Sequence, residues 1–211
     1  MLTELSVKDF IRKLALDTPT PGGGSAAALT GSMSAALIEM VLQVSLKKKD
    51  DPDEVEKCKE VAKKYSRLSK KLILLVDEDA SAFDKVMAAY KMPRKEKEEK
   101  EHRKKEIQLG LKAASLVPLE VMRNVKEEFD YFDFVINNTM DSAISDVGVA
   151  LLLADTATRG AFYNVVINLK FLKDGNFKKE IEDEATKIIL FVKNKLDVFE
   201  EKIQKRLNPK A

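Results

Sequence analysis

The 211-residue sequence has no tryptophan, one cysteine and one histidine. The lone Cys58 excludes an intrachain disulfide and a cysteine-based zinc cluster. The lone His102 excludes a multi-histidine metal centre within one chain. A charge excess is missing too. The 37 Lys and Arg residues stand against 35 Asp and Glu, for a formal net charge of +2, so there is no nucleic-acid-like bias. The first residues lack the basic-then-apolar pattern of a secretory signal, and every long apolar run carries polar or charged residues. Alternating apolar and polar positions of convincing strand length are absent as well. These absences predict a cytoplasmic, all-α protein with no nucleic-acid partner and no membrane partner.

Apolar residues make up 45% of the chain, enough for a sizeable core, and they recur at helical spacing. Ser6 is placed to cap a short first helix. A second helix is predicted over residues 25–47. It is apolar on most sides and rich in small residues (Ala27, Ala28, Gly31, Ser32, Ser34, Ala35, Ala36), as suits the central helix of a bundle. A membrane span is the competing reading, opposed by Glu39 and Gln43. A third helix is predicted over residues 53–90 and stops at Met92-Pro93. The charged residues 95–103, including His102, read as a solvated start to a fourth helix, which Pro118 should kink. Residues 130–138 read as an aromatic-rich turn or short helix. A helix from about Ser145 to Leu172 and an amphipathic last helix complete a single-domain bundle over residues 1–211. The small-residue stripe and the apolar last helix exceed what one short bundle covers, which favours a homodimer.

Three places break this plain pattern. Pro19-Thr20-Pro21-Gly22-Gly23-Gly24-Ser25 makes a bare backbone turn aimed at a helix N-terminus, suited to a carbonyl, carboxylate or phosphate. The glycines read as conformational freedom, and the other use of such a turn is a flexible joint. Asp79 falls beside the apolar stripe of the third helix. It is either ion-paired, for example with Lys85, or a working acid. Ser145-Asp146 read as an N-cap pair. Asn164 and Asn168, four residues apart, share one face of an apolar helix. They satisfy either neighbouring backbone or the amide-like edge of a bound heterocycle. Lys47, Lys48, Lys49 and the lysines near Lys70 are neutralised by neighbouring acids.

Taken in order, Thr18-Pro19-Thr20-Pro21-Gly22-Gly23-Gly24-Ser25, Asp79-Ala80-Ser81-Ala82-Phe83, Arg103, Ser145-Asp146 and Gly160-Ala161-Phe162-Tyr163-Asn164-Val165-Val166-Ile167-Asn168-Leu169 resemble the cyclodeaminase/cyclohydrolase family. That family includes the C-terminal domain of formimidoyltransferase-cyclodeaminase. The resemblance covers essentially the whole chain. It implies an all-helical homodimer with a folate cleft. The implied reaction is closure of 5-formimidoyltetrahydrofolate to 5,10-methenyltetrahydrofolate with release of ammonia, with no metal and no cofactor beyond the tetrahydrofolate substrate. Asp146 and Asp79 become the candidate acid/base groups, Asp146 the favoured one. Pro21, Gly22, Gly23, Gly24, Ser25, Arg103, Ser145, Asn164 and Asn168 become candidate substrate contacts, with Arg103 or nearby lysines toward the glutamate tail. Methenyltetrahydrofolate cyclohydrolase is the alternative within the family. A non-catalytic folate-binding or scaffold protein is the alternative of another class. Thr139-Met140 stand where family members commonly carry Gly-Asn.

Overall fold

The computed structural model describes residues 1–208. Six α-helices carry them: α1 (Val7–Leu14), α2 (Gly23–Leu46), α3 (Pro52–Lys91), α4 (Lys97–Asn138), α5 (Ile144–Lys170) and α6 (Gly175–Leu207). Two short 3-10 turns, Leu2–Glu4 and Asp141–Ala143, complete the regular structure, and there is no strand among the described residues. The all-α expectation therefore holds.

The local starts follow side-chain chemistry. The Ser6 hydroxyl accepts from the Asp9 N–H to cap α1. Asp51 caps α3 with Pro52 at its first position, and Asp174 caps α6 by accepting from the Phe177 N–H. Two expectations are corrected. Residues 130–138 are not a separate turn. α4 runs unbroken to Asn138, because Phe129, Phe132, Val135 and Ile136 continue its buried stripe. Ser145 and Asp146 do not cap α5. The cap position is Ala143, and both residues lie in the first turn, where an acid faces the positive helix end.

α2 packs most extensively against α3 and α5, and the buried apolar side chains join into one cluster reaching every helix. Small residues set the spacing. A Cβ on Gly160 would stand 3.2 Å from Ala27 Cβ, and one on Gly31 would stand 3.1 Å from Val125. α2 runs antiparallel to α5, with Gly23 beside Asn164 at one end and Ser34 bonded to the Ala150 carbonyl toward the other. By length and composition α2 alone, among the described residues, matches a membrane-crossing helix, yet just over half of that stretch is buried inside the bundle. Its buried hydroxyls bond to other helices. Ser25 reaches Val76, Ser32 reaches Ser69, and Ser34 reaches Glu128.

Not all apolar surface is covered. α2 exposes Met33 (52%) and Met40, and α5 exposes Val149, Leu152 (56%), Tyr163 (69%), Val166 and Ile167. These residues form neighbouring stripes on the two antiparallel helices.

Candidate functional site

Where α2 begins, α3, α4 and α5 close around a cavity of about 290 Å³. One wall is polar. It comprises the backbone of Gly22, Gly23 and Gly24, the Asp79 carboxylate, and the Asn164 and Asn168 amides. The facing wall is apolar, with Phe83, Val86, Met87 and Tyr90 from α3, Leu111 and Ala114 from α4, and Ile167 and Phe171 at the end of α5. Asp79 is the only carboxylate among the described residues that line it.

Asp79 is seated on the start of α2. A Cβ added to Gly24 would stand 2.1 Å from Asp79 Oδ1 and 2.6 Å from its Cγ, so any side chain at position 24 would push the carboxyl off its seat. This corrects the reading of the glycines. No glycine among the described residues has positive φ, and Gly22 caps α2 with φ −130°. Close approach, not backbone freedom, is what glycine supplies here. The carboxylate faces the positive end of α2, whose first N–H groups have no partner within the helix.

Ser25 is corrected as well. It is fully buried and does not line the cavity. Its Oγ lies 2.9 Å from Asp79 Oδ2 and 3.0 Å from the Val76 carbonyl oxygen. Burial raises the Asp79 pKa above the usual carboxylate range, opposed by the Ser25 hydroxyl and backbone N–H. The partner of Asp79 is Ser25, not the Lys85 of the expected ion pair.

The two asparagines are anchored through their nitrogens. Asn164 Nδ2 donates to the Gly160 carbonyl at 2.8 Å. Asn168 Nδ2 donates to the Ala114 carbonyl of α4, also at 2.8 Å. That second acceptor exists for a reason. Pro118, four residues on, has no N–H to offer Ala114, so the Asn168 amide takes the helical donor's place. With both nitrogens engaged, the Oδ1 atoms are the free ends of these cavity-lining amides.

The remaining candidates stand apart. Arg103 sits behind the wall. Its Nε and Nη2 donate to the Tyr90 carbonyl at 3.2 and 2.9 Å, and its guanidinium lies 5.6 Å from the Tyr90 ring. Pro21 is buried and borders a separate hollow with Asp77 and Asp84. Ser145 is exposed and Asp146 half-buried at the opposite end of α5. Eighteen residues separate Asp146 from Asn164, five full turns or about 27 Å. The two therefore share one line along α5 without meeting inside one chain. Thr139 and Met140 lie at that far end too. The Thr139 hydroxyl bonds to the Val135 carbonyl, and the Met140 N–H to Ser45 Oγ.

The apolar wall went unassigned from sequence. Its signal was present, since Asp79, Phe83, Val86 and Tyr90 follow one another at helical spacing on one face of α3.

Comparison with known proteins agrees with this architecture. Residues 6–187 match the family model of formiminotransferase-cyclodeaminase. The methenyltetrahydrofolate cyclohydrolase of Methylorubrum extorquens is 39% identical over 175 residues, which are 83% of this chain and 84% of that protein. The mouse formimidoyltransferase-cyclodeaminase is 30% identical over 188 residues, 89% of this chain but 35% of that longer protein. The chain thus spans about a third of the bifunctional relative's length. Among solved structures, formiminotetrahydrofolate cyclodeaminase from Thermotoga maritima superposes with a TM-score of 0.82 at 29% identity, covering 99% of this chain and 98% of that one. With one model spanning most of its length and the fold matched end to end, the chain belongs to the formiminotransferase-cyclodeaminase family.

Proposed function

We propose that the protein is a formimidoyltetrahydrofolate cyclodeaminase that works in the cytoplasm as a homodimer. The observation that carries this reading is the convergence, in one cavity, of a single protonatable carboxylate, the N-terminus of α2 and two amide oxygens opposite an apolar wall. A reduced pterin is flat, with N–H donors along one edge. The apolar wall suits its faces, and Asn164 Oδ1 and Asn168 Oδ1 suit its donors. The cavity's size suits the pterin alone, so the rest of the folate would leave past Tyr90, with the Arg103 guanidinium close to its acidic tail.

The chemistry asks for orientation and two proton transfers. The formimidoyl group enters protonated, as the amidinium N5–CH=NH2+; N10 of 5-formimidoyltetrahydrofolate adds to its carbon, and the Asp79 carboxylate takes the N10 proton. The tetrahedral carbon then carries an amino group. Asp79 returns the proton to that nitrogen, ammonia leaves, and the N5–C–N10 bridge becomes the methenyl cation. Asp79 ends as it began, and no cofactor enters these steps. A carboxylate whose pKa burial has raised is matched to both transfers.

The exposed stripes of α2 and α5 support the dimer. A second copy packed across the α5 stripe by a two-fold axis buries Leu152 of each protomer against Tyr163 of the partner subunit. The cyclohydrolase reading is kept because a relative of matching length and 39% identity bears that name. Water attack on the methenyl carbon passes through a comparable tetrahedral centre and uses the same carboxylate.

Spectrophotometric assays of methenyltetrahydrofolate formation and loss, with each folate supplied in turn, separate the two activities. In either case Asp79→Asn should fold and lose at least about a hundredfold in kcat. Near-normal turnover by that variant would overturn the reading.

A further inference from the structure

We propose that Ser25 is a positioning residue that keeps the Asp79 carboxyl fixed in both of its protonation states. The inference rests on the acid/base role proposed for Asp79 and assigns a part to a side chain that touches neither the cavity nor the folate.

Ser25 Oγ has one hydrogen and two acceptors within reach, Asp79 Oδ2 at 2.9 Å and the Val76 carbonyl at 3.0 Å. When Asp79 is ionised, the hydroxyl donates to Oδ2. When a proton arrives on Oδ2, that oxygen becomes the donor. Ser25 Oγ then accepts, and its own hydrogen turns to the Val76 carbonyl. When the proton sits on Oδ1 instead, Oδ2 still accepts from Ser25. Each state is satisfied by turning one hydrogen, with no heavy atom displaced. Val76 loses nothing in either case, because its carbonyl lies inside α3 and retains the helical donor.

The surroundings leave no substitute. Ser25 is wholly enclosed, and the carboxyl lies over Gly24, where any side chain would collide with it. Among the described residues, no other side chain bonds to Asp79. A residue that gains and loses a proton in every turnover, with one carboxylate oxygen turned to a fully buried side chain, needs a partner there able to act as donor and acceptor. A hydroxyl does both. Neither an ammonium nor a carbonyl does.

Ser25→Ala removes the donor to the ionised form, so the Asp79 pKa should rise further. Three readouts test this. Carbon-13 NMR of aspartate-labelled protein should show the Asp79 carboxyl titrating at higher pH in Ser25→Ala than in the wild type. The limb of the kcat–pH profile that Asp79 controls should move up with it. At the wild-type optimum, kcat should fall by about tenfold while KM stays within about twofold, because Ser25 does not line the cavity. Ser25→Cys, of similar size and a weaker donor, should fall between the two proteins in all three. Unchanged titration and an unmoved limb in both variants would overturn the role. If Asp79→Asn is inactive and the Ser25 variants behave as wild type, only this inference fails. If Asp79→Asn is active, the proposed function fails first.

Discussion

Gly24 sets two of its own properties against each other. In the first turn of a helix, replacing glycine with alanine is worth up to about 1 kcal/mol of stability. The same methyl would stand 2.1 Å from Asp79 Oδ1. The collision should win in the wild type, where Gly24→Ala destabilises by about 1–3 kcal/mol and drives the carboxyl off its seat, with turnover falling alongside. In an Asp79→Ala background the obstacle is gone, and Gly24→Ala should turn neutral or stabilising. Urea denaturation of the four proteins in this cycle measures the reversal. If the substitution has the same sign in both backgrounds, the contact does not govern position 24. The same pair marks how far single residues could be read in advance. Asp79 was legible because a charged residue interrupts an apolar stripe. The reason for Gly24 was not, because the atom it must avoid belongs to a residue 55 positions away. Ser25 reads as a substrate contact for the same reason: nothing nearby in sequence announces Val76 as its partner.

Helices carry longer signals, and most of them were legible. Ser6, Asp51 and Asp174 cap as their residue types require, and the apolar stripes of α2, α3 and α6 lie inward. The misplaced boundaries came from aromatic density around residues 130–138, which looks like a turn until the other helices supply partners. Phe129 and Phe132 pack against Phe199 of α6. Helix contacts also enclose a group that no local pattern reveals. Glu128 of α4 is fully buried. Its Oε2 meets the Ser34 hydroxyl of α2, which also faces the Ala150 carbonyl of α5, and its Oε1 has no partner. From α3 the facing group is Tyr65, whose hydroxyl donates to the Glu128 backbone carbonyl. Loss of solvation raises the Glu128 pKa from 4.5 to about 8, opposed only by Ser34. The folded state therefore holds this proton more tightly than the unfolded chain does. Its contribution to stability is complete below about pH 4.5 and is lost as pH rises through about 8. Over that window the loss amounts to at most about 5 kcal/mol. Glu128→Gln keeps the shape without the proton, so its stability should fall less between pH 5 and 9 than that of the wild type. Denaturation midpoints taken across that range decide it, and parallel curves would mean that Glu128 is ionised at neutral pH.

At the scale of the whole molecule, one distance governs the argument. Asp146 and Asn164 lie on the same line of α5 but about 27 Å apart, so a single chain cannot bring both to one substrate. The exposed stripe from Val149 to Ile167 is centred between Thr156 and Arg159. A two-fold axis through that centre would run the two α5 helices antiparallel. It would set Asp146 of the partner subunit near Asn168 and Phe171, at the cavity wall. The carboxylate favoured from sequence and the cavity built around Asp79 then belong to one composite site. Light scattering should accordingly report a dimer, and Leu152→Glu with Tyr163→Glu should break it into folded monomers with little turnover. Subunit mixing gives the sharper test. Asp79→Asn and Asp146→Asn homodimers should each be nearly inactive. Unfolded together and refolded, half of the dimers are mixed. Each mixed dimer would hold one site with both substitutions and one with neither. Turnover should then recover to about a quarter of the wild-type level, because random pairing makes one site in four intact. If Asp146 served its own chain's cavity, every mixed site would still carry a substituted Asp79 or a substituted Asp146 and no such recovery would follow. An Asp146→Asn homodimer with full turnover would remove Asp146 from the composite site, with both proton transfers assigned to Asp79 untouched.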